Sequence, residues 1–296
     1  MPHTKAEEAL DKAEAHWSDE EIPQAREAFR RARLLFHEAK DAEGEAEALL
    51  RLADLERTQN HLSQARKLLV EARELLAATA EPAEQAVVLL HLGALEQDEK
   101  NYAEARQVLI TAGELFQTAG DLTGQAEAML RLGWLSVDEG ADDRALEELA
   151  QARKLARKGE DDETEGLALK ALADVERRMG RLDKAHQALD AALMLFRQSG
   201  DALDQAAALA ELATLKRDSG DVAGAIENFN EAARLFAGAG DVGGQGAVLL
   251  GLARIETARN KTQARHHYEH AVELLMQAGL ADLAKIAASE HRQLNK

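Results

Sequence analysis

His266, His270 and Glu273 stand at i, i+4 and i+7, with His267 beside them. On a helix, that spacing puts two imidazoles and a carboxylate on one face. Imidazoles at i, i+4 suit Zn²⁺ or Ni²⁺. The competing reading is a solvated histidine cluster, because His266 aligns by internal repeat with Lys67, Gln107 and Glu227, residue types of an exposed column. No His-Glu-x-x-His motif is present, so no metal is expected. His91 and Asp98, seven residues apart on one helical face, have the residue types of an acid–base couple. Their spacing also follows from the repeat alone. The chain has no cysteine and so no thiolate nucleophile or ligand. A Walker loop, a Gly-x-Ser-x-Gly elbow and a dinucleotide fingerprint are likewise missing. Neither an enzyme nor a cofactor is expected; what remains is recognition.

Composition narrows the partners. With 36 basic and 54 acidic residues, the net charge of −18 repels phosphate backbones, so nucleic acid is not an expected ligand. No run of 18 apolar residues occurs, and Met1 to Glu8 lacks a hydrophobic signal core, so neither a membrane span nor export is expected and a cytoplasmic location follows by default. Apolar residues make up 46% of the chain but aromatics only 3%; an Ala- and Leu-rich chain with 3 prolines reads as helical throughout.

The elements that would position any functional residue recur every forty residues. One column reads Leu52, Leu92, Leu132, Leu172, Leu212, Leu252, followed directly by the small residues Ala53, Gly93, Gly133, Ala173, Ala213, Ala253. Two alanine columns start at Ala25 and Ala32 and reach Ala225 and Ala232; a bulky column runs from Phe29 to Phe229. The register slips by one at Asn260 to Ala264, and Tyr268 and Ala271 resume it. Each unit reads as two helices, for instance Leu122 to Glu139 and Asp142 to Lys158. Gly120, Gly200, Gly240 and Gly279 close second helices, and Gly140, Gly180 and Gly220 close first helices. Asp41, Asp121, Asp161, Asp201 and Asp241 stand ready to cap the next helix, and Pro23 and Pro82 lie near helix starts.

Met129-x-x-Leu132-Gly133, with Ala145 twelve residues after the glycine, Leu149 four later and Ala152 three later, resembles the tetratricopeptide repeat over about residues 6–278. The forty-residue unit with Gly-Asp junctions is similar to the long-helix variety of Leu-Gly-Asn (Pins-type) proteins and bacterial regulators. The resemblance implies an all-α, right-handed solenoid of about seven helix pairs. Residues 1–40 would form an N-terminal capping unit, 41–279 six further units, and 280–296 a C-terminal capping helix, in one continuous domain. Two departures stand out. The usual aromatic eleven places into the unit is replaced by Glu56, Glu96, Ser136, Glu176, Lys216 and Glu256. Leu-Ala-Asp stands at 52–54 and 172–174, so asparagine-based recognition is not carried over.

By the same resemblance, first helices line a concave groove. Its sixth place holds Arg51, His91 and Arg131, a basic ladder that Lys170 and Arg178 extend; its fifth holds Leu50, Leu90 and Leu130, an apolar floor. The ninth holds Asp54, Trp134 and Asp174, and the thirteenth includes Asp98 and Asp138. The expected ligand is a partner peptide or helix with apolar anchors and acidic groups that arginine clamps bidentately. The competing reading pairs Arg51 and Arg131 with Glu47 and Glu127. The missing ninth-place asparagine argues against a chaperone-tail carboxylate clamp. Trp17 is expected to cover core in the first unit, and Ala281 to Leu294 to form the last amphipathic helix or a dimer contact. The function expected is a non-catalytic interaction scaffold; the alternative is a sensor whose curvature a peptide or small molecule changes. Self-association stays open.

Overall fold

The computed structural model describes residues 2–19, 21–77 and 81–294; residue 1 and residues 295–296, at the ends of the expected domain ranges, lie outside the described residues. Among the described residues there are fifteen α-helices and no strand. They fall into two compact units, 1–159 and 160–296. The first holds α1 (Pro2–Ser18) with α2 (Ile22–Ala39), α3 (Ala42–Thr58) with α4 (Leu62–Leu76), α5 (Pro82–Asp98) with α6 (Tyr102–Ala119), and α7 (Leu122–Asp138) with α8 (Asp142–Lys158). The second holds α9 (Asp162–Arg178) with α10 (Leu182–Ser199), α11 (Ala202–Asp218) with α12 (Val222–Ala239), α13 (Val242–Glu256) with α14 (Lys261–Gln277), and α15 (Ala281–Leu294) packed on α14.

Local chemistry sets the helix ends. Asp121 accepts from the Gly124 backbone N–H at 3.0 Å, and Asp41, Asp161, Asp201, Asp221 and Asp241 cap their helices in the same way. Such a cap contributes about 1 kcal/mol by satisfying an orphan helix donor. At the other end Gly120 takes φ 73°, and the next residue's N–H reaches back to the Phe116 carbonyl at 2.9 Å. Glycine is preferred there because a Cβ is strained in that left-handed geometry.

The alanine columns from Ala25 and Ala32 are fully buried in both units, and so are the bulky residues Phe29, Leu69, Leu109, Leu149 and Leu189 to within 1%. Gly133 lies against Leu149, where a Cβ would come within 2.4 Å of the leucine side chain; Gly93 meets Leu109 in the same way. The small column therefore lets the two helices of a pair close on each other. Leu172 is the half-buried member of its column. Trp17 packs edge-on against Phe29 at 6.0 Å and joins the first unit's core, consistent with a covering role.

The column that departs from the tetratricopeptide pattern is buried in unit 1. Glu56 and Glu96 are 3% and 6% exposed, and Ser136 is fully buried. Each meets an arginine thirty residues earlier, on the second helix of the preceding pair. Arg26 donates to both Glu56 oxygens at 2.5 and 3.0 Å. Arg66 donates to Glu96 and, at 2.7 Å, to Glu99. Arg106 donates to Ser136 at 2.7 Å and to Glu139 and Glu148. Burial pushes the Glu56 carboxyl up, but Arg26 and His61 outweigh it and hold it below the ordinary range. Arg66 chiefly does the same for Glu96, against the pull of burial.

Candidate functional site

In unit 1 the predicted groove residues come together on α3, α5 and α7, and most of their charges are already paired. Arg51 meets Glu14 of α1 at 3.2 Å and Glu47 at 3.8 Å. His91 Nδ1 hydrogen-bonds Asp54 at 3.0 Å, linking α5 to α3. Arg57 donates to Asp98 at 2.8 Å, and Gln97 donates to Asp138 at 2.6 Å, linking α5 to α7. Arg131 donates to Glu127 on its own helix at 2.7 Å. Burial pushes the Asp54 carboxyl up, but His91, Arg57 and Arg131 together hold it below its usual value. The basic ladder thus lies within reach of carboxylates of this chain, as the competing reading had it. His91 and Asp98 have different partners and form no acid–base couple.

The predicted apolar floor is uneven. Leu130 is fully buried and offers no surface, while Leu50 and Leu90 keep about 7% and 6% exposed. Trp134 is half-buried on α7. Surface for an apolar ligand is instead found in a cleft of about 290 Å³ where α3 faces α5. Its floor is Ala46, Leu50, Leu76 and Val87; its rim is Glu43, Glu47 and Glu84, with Arg51 and His91 at one side. Val87 and the acidic rim were not selected from sequence. Their signal is the helical turn that precedes each groove position, Glu43 to Glu47 and Glu84 to Val87, where carboxylates flank small or branched apolar residues.

Unit 2 carries the remaining predicted residues. Lys170 of α9 meets Asp204 of α11 at 3.2 Å. Asp174 accepts from Arg177 at 2.6 Å and lies 3.8 Å from Arg178. Glu211, half-buried on α11, faces Lys170, Asp174 and Arg177; burial, its dominant influence, pushes its carboxyl up to about 7. Farther along, Arg254 makes a two-pronged contact with Glu290 of α15 at 2.9 and 2.8 Å, and Tyr268 donates to the same carboxylate. The last helix is therefore fastened to α13 and α14 by polar contacts as well as by its buried Ala284, Ala287 and Leu294.

The histidine segment lies on α14 as expected, with the rings of His266 and His270 6.3 Å apart. Burial and the two neighbouring imidazoles lower the pKa of His267. Among the described residues, no group of three or more His, Asp and Glu side chains is arranged to hold a metal ion. His266, His270 and Glu273 share α14 but do not assemble a ligand set. No helix among the described residues is long and apolar enough to cross a membrane.

The tetratricopeptide repeat family model matches residues 164–237. Over that quarter of the chain the helix pairs match tetratricopeptide repeats, and the remaining described pairs are all-α as well. No curated protein sequence matches the chain. Among solved structures, the apo form of RapI is similar at a TM-score of 0.65 and 12% identity, covering 84% of this chain and 98% of RapI. A Rap protein complexed with competence and sporulation factor matches at 0.61 and 12%, covering 99% and 96%. BtubC from P. vanneervenii matches at 0.61 and 17%, covering 74% and 90%. At these identities the likeness is one of fold.

Proposed function

We propose that this chain is a non-catalytic protein-interaction module that seats an apolar side chain of a partner peptide or helix in the α3–α5 cleft. The observation that carries this reading is the combination of an apolar floor, Ala46, Leu50, Leu76 and Val87, with a rim bearing three carboxylates. Burying one aliphatic side chain in such a cleft contributes about 1.5–3 kcal/mol. The rim carries more carboxylates than cations, Glu43, Glu47 and Glu84 against Arg51 and His91, so its net charge favours basic residues beside the anchor. This reverses the sequence expectation of acidic ligand groups. Fluorescence anisotropy with two nine-residue peptides tests it: one carries a central Leu flanked by lysines, the other the same Leu flanked by glutamates. The lysine peptide binds at least tenfold tighter, and Val87→Glu removes its binding. Equal binding of both peptides, or indifference to Val87→Glu, overturns the reading.

A second reading is a ligand-gated regulator. It draws on the likeness to a Rap protein solved with competence and sporulation factor and to RapI solved in the apo form. It requires a change in solution scattering on adding peptide; a profile unchanged at saturation removes it.

A further inference from the structure

The repeat register picks out one face on each helix pair, the side turned to the preceding pair. Ala128 of α7 shows the contact: a Cβ on Gly113 of α6 would lie 3.7 Å from its own. On the second pair this face holds Ala48, Leu49 and Leu52 of α3 and Leu68 of α4, all 5% exposed or less. On the first pair the same positions are Glu8, Ala9 and Lys12 of α1 and Ala28 of α2, and they line an open cleft of about 870 Å³. Ala9, Ala28 and Leu35 keep part of their surface exposed there. Leu34, beside Leu35, is 62% exposed, where later second helices carry Glu74, Glu114 and Lys154.

Four charges frame this apolar centre, Glu8 and Lys12 on α1 and Glu27 and Arg31 on α2. None makes a hydrogen bond or ion pair to a described residue. Of the other cations in the cleft, His16 is held by Glu21 at 2.6 Å, and Lys5 stands about two turns before Lys12. On both helices the acid precedes the base by four residues, about one turn. That order is self-complementary. A twofold axis that sets each helix antiparallel to its own copy brings Glu8 to Lys12 of the second copy and Glu27 to Arg31 of the second copy, and symmetry makes each contact twice. One axis serves both helices. By the register of Gly93 on Leu109, Phe29 is level with Ala13, so the midpoints of the two charge pairs, Leu10 and Phe29, lie within about one turn of each other. A head-to-tail stack fits worse. Second helices of unit 1 bring arginine to this face, Arg26 to Glu56 and Arg33 to Glu71, and on the first pair those acceptor positions are His16 and Arg31.

We infer that two copies of this chain pair through their first helix pairs, face to face about a twofold axis, with Ala9, Ala28 and Leu35 at the centre and the four charges exchanged around them. Exposed ion pairs each contribute little, so the apolar centre supplies the affinity and the charges set register and orientation. The surface lies on α1 and α2, apart from the α3–α5 cleft, so this inference and the proposed function fail separately.

Sedimentation velocity of the full chain over a concentration series tests it. The parent forms a dimer with a Kd below about 200 µM and nothing larger. Lys12→Glu sets Glu8 against a like charge twice over and weakens the dimer about tenfold or more, as does Glu8→Lys. The double variant Glu8→Lys with Lys12→Glu, which reverses the order on α1 and keeps its complementarity, returns to within about threefold of the parent. Mixing the two single variants gives a heterodimer, although neither pairs with itself. Far-UV circular dichroism, unchanged in every variant, separates lost pairing from lost folding. A monomeric parent, growth beyond the dimer, a dimer indifferent to Lys12→Glu, or single variants that do not rescue each other on mixing overturns the inference.

Discussion

Removing the Glu96 carboxylate is the sharpest probe of how unit 1 is held together. Its side chain is 7% exposed, and it accepts from Arg66 and, at 2.9 Å, from Asn101. A charge-assisted hydrogen bond from a buried group contributes about 1.5–3 kcal/mol, and breaking a buried pair costs about 3–5 kcal/mol. Arg66 is 36% exposed and keeps Glu99, so water and that second carboxylate recover part of the loss. Glu96→Ala is therefore expected to cost about 2 kcal/mol. Arg66→Leu with Glu96→Leu replaces both partners by apolar groups and should recover most of that loss. The assay is urea unfolding with amide exchange read separately on α4, α5 and α6, because repeat stacks open locally. A carboxyl held below its ordinary pKa supports the fold above its unfolded value and loses that support as pH falls through the folded one. The double variant is accordingly less acid-sensitive between pH 5 and pH 3 than the parent. A Glu96→Ala loss under 0.5 kcal/mol, or a double-mutant cycle that is simply additive, would refute the reasoning.

Three further outcomes follow from other positions. Gly133→Val drives a side chain into Leu149 and should destabilise unit 1 by about 1–3 kcal/mol, seen as a lower melting transition; an unchanged transition would mean that the α7–α8 pair can open without loss. Lys100→Gly relaxes a residue held at φ 63°, in the column where Gly140, Gly180 and Gly220 stand, and should raise stability by about 0.5–1 kcal/mol in urea titration. Glu211 has its pKa raised in the fold, so its ionisation opposes folding increasingly as pH rises from the unfolded value toward 7; Glu211→Gln should gain thermal stability over the parent at pH 8 and much less at pH 5.

The helix pairs were readable because their determinants are local and repeated. Gly120 and Asp121 mark a junction by their own backbone and side-chain preferences, and Ala145, Leu149 and Ala152 mark a buried face by spacing. The site was less readable because charges choose partners in three dimensions. Arg51, His91 and Asp98 each reach a neighbouring helix, at intervals near one repeat (37 residues for Asp54–His91, 41 for Arg57–Asp98) that no spacing within a single helix marks. The arginine–glutamate contacts were legible in principle. Arg26 and Glu56, then Arg66 and Glu96, repeat an interval of thirty residues, a signal hidden by attention to the forty-residue period. Glu211 carries no such mark: the charges that face it gather only when α9 and α11 are side by side.

The interval of thirty also bears on how such a chain can grow. If a forty-residue unit containing both Arg66 and Glu96 were duplicated in tandem, each new copy would carry its own counter-ion pair, and lengthening would bury no solitary charge. A module taken from unit 2, where Ile226 stands thirty residues before Glu256, would bring no guanidinium to its new neighbour. On electrostatic grounds, then, adding a unit copied from within unit 1 costs less than inserting one taken from unit 2.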